Sequence, residues 1–276
     1  MADRRVQIVP PEKLDLKMPK GTFSHSQYSL YQSCGKAYYF RYVMGFSTPP
    51  AAAAHKGKSV HAGVEHAHLH KMATHDIPNL EEMKAVVADS FDEGKDEIQW
   101  GEDSEGKVKD AAINNYAVYH HKALPKVNPE AAEKGFVFYL DSTPVVGYID
   151  LIDRVTEENV AGDIEDPGKL VIADLKVSGR SWSQNDADKS TQFTLYSRVM
   201  GIPTVRVDNL VTLKSGPTFK QLTSKRDGRT HLNLLEHMVE TVDLIKKGVF
   251  PKTSFDNWMC GERWCGFYGI CRGKKV

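Results

Sequence analysis

No apolar run in this 276-residue chain reaches the ~20 residues that a helical membrane span requires. Nor does charge of one sign prevail: 36 Lys+Arg stand against 36 Asp+Glu, a formal net charge of +0. A whole-molecule basic field is therefore excluded as the sign of a polyanion partner, although a local basic groove serves such a partner as well. The nucleotide-binding pattern G-x-x-x-x-G-K-[ST] is missing, so any motor is expected on a separate chain. Internal repeats are absent, as is any low-complexity linker beyond Ala51 to Ala54. Cysteine is scarce, at four. Met1-Ala-Asp-Arg-Arg has no apolar core after it, so a secretory signal is not expected and a cytoplasmic location is. Structural disulfides are uncommon there. Four cysteines in a reducing compartment suggest a metal or cluster site as readily as free thiols.

What remains is ordinary globular material, 41% hydrophobic and 26% charged, in a chain long enough to bury a sizeable core. Residues 1 to 20 read as a loosely attached arm with Pro10-Pro11. Ser24 or Ser26 can N-cap a helix that carries Tyr28, Leu30 and Tyr31, and Lys36 to Met44 continues with heavy aromatic content. Pro49-Pro50 and the alanine run read as a break, and the next helix is expected to begin near Gly57. His61, Glu65 and His68 are neighbours on it at helical spacing. His66, His68, His70 and His75 are expected as exposed polar positions. Residues 80 to 124 read as helical around a charged loop, Asp89 to Lys109, with Phe136 to Leu140 a strand beyond. The periodicity predicts a helix over Thr191 to Met200 stopped by Gly201, strands at Val205 to Leu213 and Thr218 to Thr223, and an amphipathic helix at Leu232 to Lys247.

Chemistry concentrates between Val145 and Lys176. Gly147-Tyr-Ile-Asp150 and Val171-Ile-Ala-Asp174-Leu-Lys176 read as two strands joined by a polar hairpin connection holding Asn159, Gly162, Pro167 and Gly168. Alternate residues share a face, so Asp174 and Lys176 point one way while Leu175 enters the core. Pairing of the strands brings Asp150 towards Asp174. Neighbouring carboxylates repel unless a cation or proton intervenes, and hard oxygen ligands suit Mg²⁺ or Mn²⁺. A lysine beside them can stabilise developing negative charge or orient a water, which is the equipment of metal-assisted phosphodiester hydrolysis. Gly-x-x-Asp and Asp-x-Lys each occur often at plain strand ends, so the weight lies in the ordered set. Asp153 competes with Asp150 for the ligand position, and Asp163, Glu165 and Asp166 read as solvated loop charge.

The order is Ser26-x-x-x-Leu30-x-x-Cys34, Gly57-x-x-x-His61, Asp150, Asp174-x-Lys176 and Gln192-x-x-x-Tyr196. It resembles the RecB-like branch of the PD-(D/E)XK nuclease superfamily, from about Phe23 to Cys271. The resemblance implies an α/β fold: a central mixed sheet flanked by helices, an N-terminal helical section and a cysteine-bearing tail. Boundaries are expected at 1–20 for the arm, 21–249 for the core with a helical insert at about 57–124, and 250–276 for the tail packing with the Cys34 region. His61, Asp150, Asp174 and the backbone carbonyl of Leu175 would hold Mg²⁺ or Mn²⁺. Lys176 would position the water, and Gln192 and Tyr196 would support the site.

The likeness extends to the iron–sulfur exonucleases, similar to the CRISPR-associated RecB-like exonuclease and the AddB nuclease domain. It implies that Cys34, Cys260, Cys265 and Cys271 surround a [4Fe–4S] cluster, with Zn²⁺ as the alternative. Gly35 departs from the proline usual there, and the Cys260–Cys265 interval is longer than usual. The implied function is a metal-dependent exonuclease on single-stranded or open-ended DNA, 5′ to 3′ by resemblance only. Its settings would be recombination, repair or CRISPR-type processing, in a phage or a host. The alternatives are a non-catalytic DNA-end-binding iron–sulfur subunit and a structure-specific endonuclease partnered with a helicase. Homo-oligomers are compatible with the family. Arg180, Trp182, Lys189 and Lys214, with Lys220, Lys225, Arg226 and Arg229, are the candidate DNA contacts, each weighed against plain solvated surface.

Overall fold

The computed structural model describes residues 7–8, 18–156 and 167–273. Most of the expected arm, together with Asn159, Gly162, Asp163, Glu165 and Asp166, lies outside the described residues. In chain order the elements begin with β1 (Gln7–Ile8), β2 (Phe23–Ser24), α1 (His25–Ser33) and α2 (Gly35–Tyr38). Next come α3 (Ala52–Thr74), α4 (Leu80–Asp92), α5 (Glu105–Lys122), β3 (Pro129–Leu140) and β4 (Thr143–Arg154). The rest are β5 (Leu170–Ser178), α6 (Gln184–Asp188), α7 (Thr191–Met200), β6 (Thr204–Leu213), β7 (Gly216–Lys225), α8 (Gly228–Lys246) and α9 (Tyr268–Arg272). Among the described residues no helix is long and apolar enough to cross a membrane. The chain forms two compact units: Pro49–Lys134 with Tyr148–Asp227, and Met1–Thr48 with Gly135–Gly147 and Gly228–Val276.

In the first of these, β4 pairs antiparallel with β5, β5 parallel with β6, and β6 antiparallel with β7. The sheet is therefore mixed, as the resemblance implies. The central stretches of β5 (171–175) and β6 (205–211) are buried, which accounts for their richness in Val, Ile and Leu. Helices α3, α4 and α5 bury Val60, Val64, Val87, Phe91, Tyr116 and Tyr119 in one cluster that Leu175 and Leu210 join from the sheet.

Helix α3 starts at Ala52, five residues before the expected start near Gly57. Alanine is the strongest helix former, so the run after Pro50 extends the helix instead of breaking it. The extra turn carries His55, whose Nε2 lies 2.7 Å from the Phe91 carbonyl oxygen. Inside the helix, a Cβ on Gly63 would collide with Val87 Cγ2 and stand 3.0 Å from the Tyr116 ring. Gly63→Ala is expected to lose stability, because overpacking costs about 1–3 kcal/mol and exceeds the ~1 kcal/mol gained in helix propensity. The urea midpoint should fall at unchanged m value.

The other unit holds α1, α2, α8 and α9. Ser24 caps α1, its hydroxyl accepting from the Gln27 N–H at 3.2 Å. Tyr31 donates to the Val249 carbonyl at 2.7 Å, and Tyr38 stacks on Phe250 with ring centroids 6.0 Å apart. Gly35 has a local reason: a Cβ there would lie 2.6 Å from Pro251 Cδ. The Lys36 N–H beside it donates to the Pro251 carbonyl at 3.0 Å. Close approach of Pro251 thus accounts for a residue without a Cβ at position 35.

Candidate active site

The antiparallel register of β4 and β5 pairs Leu151 with Ala173, so the next step along both strands sets Asp150 beside Asp174. Leu175 turns into the helical cluster. Asp174 and Lys176 share the opposite face, with Oδ2 and Nζ 2.6 Å apart. That contact is an ion pair and not an aligned hydrogen bond, because Asp174 Oδ2 is enclosed and has no hydrogen-bond partner. Lys176 Nζ donates to Gln192 Oε1 at 2.8 Å, and Gln192 Nε2 donates to the Tyr196 hydroxyl at 2.8 Å. The i, i+4 spacing on α7 is what lets Gln192 and Tyr196 form this relay. The ammonium also lies 5.8 Å from the ring centroids of both Trp182 and Phe193. One lysine head is thereby fixed by a carboxylate, an amide and two aromatic rings.

His61 approaches from α3, its Nδ1 3.4 Å from Asp150 Oδ2. Burial lowers the His61 pKa, and the charge of Asp174 opposes that shift. A neutral imidazole is the form that can ligate a metal. Asp150 accepts the Leu175 N–H at 3.0 Å. Even so, its carboxyl is held well above the usual range, by burial first and by Asp174 second. The cavity between these groups is about 10 Å³, lined by His61, Glu133, Asp150 and Asp174 among others. That is room for one water or one ion.

Glu133 has no counterpart in the sequence reading. It lies on β3, which begins at Pro129 and not at Phe136, in a polar stretch without strand-like alternation. Ligand atoms of His61, Glu133 and Asp150 all fall within 4.8 Å of one another, so this group can hold a metal ion. Burial raises the Glu133 pKa, helped by the charges of Glu65 and Asp174.

Asp153 has other partners. It receives Arg206 Nη1 at 2.6 Å and the Asn128 N–H at 2.7 Å, while the same guanidinium forks onto Asp208 at 2.9 and 3.0 Å. His68 corrects the expectation of an exposed histidine, being only 2% exposed. Its position on α3 faces α5, and its Nε2 lies 2.7 Å from the Tyr119 hydroxyl. Burial, with help from the charges of Arg206 and Lys71, pushes its pKa down to about 3. Arg226 is corrected too. It is buried and donates to Thr194 Oγ1 at 2.9 Å and the Ala187 carbonyl at 2.6 Å, so it ties α6 and α7 together and is not a surface cation. Arg180, Lys189, Lys214, Lys220, Lys225 and Arg229 are exposed. Trp182 is half-buried, its backbone N–H donating to Asn209 Oδ1 at 2.9 Å and its ring edge-on to Phe193.

In the other unit, Cys34, Cys260, Cys265 and Cys271 line one cavity of about 150 Å³. Cys34, Cys265 and Cys271 pack on Ala37, Phe40 and Phe267. Arg272 Nη2 donates to Cys260 Sγ at 3.4 Å. Burial raises the Cys265 thiol pKa, and the other three cysteines add to the shift.

The mixed sheet thus gathers a histidine and carboxylates around an ion-sized cavity, with a fixed lysine against one of the carboxylates. The family model of the PD-(D/E)XK nuclease superfamily matches residues 22–272. The chain belongs to that superfamily. In fold it is similar to the solved structure named "Putative exonuclease" from Eubacterium rectale, at 14% identity and a TM-score of 0.54, covering 92% of this chain and 88% of that chain. A second solved structure, SSO0001, is 11% identical over 90% of this chain and 96% of that chain, with a TM-score of 0.34. No curated protein matches.

Proposed function

We propose that the protein is a divalent-metal-dependent exonuclease acting on single-stranded DNA or opened DNA ends. The observation that carries this reading is the convergence of His61, Asp150 and Asp174 on one cavity, with Lys176 held against Asp174 by Gln192. Their donor set, one imidazole and carboxylate oxygens, fits Mg²⁺ or Mn²⁺. Asp174 Oδ2 is enclosed, accepts no aligned hydrogen bond and faces the Lys176 ammonium at 2.6 Å, so it is a carboxylate oxygen with capacity left to share a metal ion. When bound, such an ion supplies Lewis-acid charge at a phosphoryl oxygen and acidifies water. Lys176, steered by Gln192 and Tyr196, offsets the charge that builds on the phosphate as water attacks phosphorus and the P–O bond to the leaving strand breaks. Asp150 and Asp174 hold the site's negative charge, and Trp182 offers a ring near the lysine for a base to stack upon. The name of the Eubacterium rectale relative agrees with an exonuclease. Linear and closed circular single strands separate the readings: an exonuclease leaves the circle intact, and cutting of the circle would overturn the requirement for ends.

The four cysteines support an iron–sulfur cluster in the other unit. A Cys₄ zinc site draws its sulfurs onto one ion at ~2.3 Å, about 3.8 Å from each other. Among the described residues, the cysteines are not in the group that meets within 4.8 Å, and their cavity exceeds what one ion fills. Four thiols around a larger cavity suit [4Fe–4S] ligation. Arg272 would offset part of the thiolate charge. Anaerobically purified protein is expected to be brown, with iron and acid-labile sulfide near four per chain. A Cys265→Ser variant should be paler and melt at lower temperature. Stoichiometric zinc in colourless, stable protein would contradict the cluster.

A further inference from the structure

We propose that Glu133 is a protein ligand of the divalent cation, additional to the residues the family resemblance marks. The inference rests on the metal-dependent nuclease reading and deepens it.

Three observations carry it. Ligand atoms of Glu133, His61 and Asp150 lie within 4.8 Å of one another, close enough to meet on a single ion. Glu133 and Asp174 line the same cavity; the Asp174 side chain is only 2% exposed, and its Oδ2 accepts no aligned hydrogen bond and faces the Lys176 ammonium at 2.6 Å. Charge gives the third. Glu133, Asp150 and Asp174 carry three negative charges when ionised, and the Lys176 ammonium neutralises one of them. One divalent cation balances the remaining two. A hard ion coordinated by several carboxylate oxygens is the arrangement that Mn²⁺ and Mg²⁺ take, with one imidazole shifting preference towards Mn²⁺.

The route by which the chain reaches this position is unusual. Glu133 adopts φ 44°, the left-handed region that glycine occupies readily and other residues only at a steric cost. Glycine there would relax the backbone while removing the carboxylate, so Glu133→Gly and the isosteric Glu133→Gln make complementary variants. Glu130, which lies on the same strand and pairs with Arg154 at 2.8 Å, serves as the control.

The experiment is Mn²⁺ titration of the full chain, with free Mn²⁺ read by electron paramagnetic resonance, beside thermal melting in EDTA. The expected result is that both Glu133 variants bind Mn²⁺ at least tenfold more weakly than wild type. Glu130→Gln should bind within twofold of wild type. In EDTA, Glu133→Gln should melt near wild type and Glu133→Gly at or above it. Binding within twofold of wild type in both Glu133 variants would overturn the assignment and leave the nuclease reading standing. Failure of the wild type itself to bind Mn²⁺ at millimolar concentration would overturn the metal-dependent reading, and this inference with it.

Discussion

Asp174→Asn is expected to lower DNA cleavage by about 10³-fold or more, ~4 kcal/mol of transition-state stabilisation, without unfolding the protein. Asparagine keeps the shape of a side chain that is 2% exposed. Its loss of the Lys176 ion pair is offset by relief of the repulsion that raises the Asp150 pKa. The metal-free melting temperature should therefore stay near wild type, whereas the rise in melting temperature on adding Mn²⁺ should largely disappear. Lys176→Ala divides the roles. It removes the charge proposed to face the scissile phosphate and also removes a cation beside the carboxylates. Cleavage should fall steeply while Mn²⁺ binding is kept or tightened. Cleavage rate and Mn²⁺-induced stabilisation, measured on both variants, check the pair. Equal loss of metal binding in Lys176→Ala would contradict a charge-offsetting lysine.

The second large effect belongs to His68. Its folded pKa of about 3 lies below the ordinary value of 6.5, because burial disfavours the charged ring. Below pH 6.5 the unfolded chain takes up a proton at this position that the folded protein refuses, so stability from this residue is whole above 6.5. It is lost as pH falls towards 3, at about 1.4 kcal/mol per pH unit. Glutamine at this position retains a polar partner for the Tyr119 hydroxyl and cannot titrate. Urea unfolding at pH 7, 6 and 5 should show wild type losing stability relative to His68→Gln by about that amount per unit below 6.5. Parallel pH curves for the two proteins would mean that His68 is solvated or charged in the folded state.

Strand pairing and alternation made the centre of the site legible. In a strand, Asp174-Leu175-Lys176 has one alternation, and the antiparallel register brings Asp150 to Asp174 as the hairpin pattern implied. Helical spacing likewise made the Gln192–Tyr196 relay readable. What escaped was what tertiary packing decides. Glu133 sits in Glu130-Ala-Ala-Glu133, where neither alternation nor apolar content announces a strand, and its approach to His61 depends on a left-handed residue that sequence does not reveal. His68 reads as one polar position among several on α3, because the partner that makes its burial tolerable is on another helix. Asp153 and Asp150 look alike on one strand, yet Asp153 is taken up by Arg206, which lies two strands away in the sheet. Arg226 reads as a surface cation until the carbonyl of Ala187 and the hydroxyl of Thr194 are placed around it. In each case a local pattern names the chemical type, and a distant residue fixes the role.

The most direct test of the central claim is the fate of end-labelled single-stranded DNA with anaerobically purified protein and Mn²⁺ or Mg²⁺. Progressive shortening that stops on adding EDTA is the expected result, and the label lost first reports the polarity. Full-length DNA recovered after incubation with metal, from protein that still binds the strand, would contradict a metal-dependent nuclease and favour a DNA-end-binding subunit.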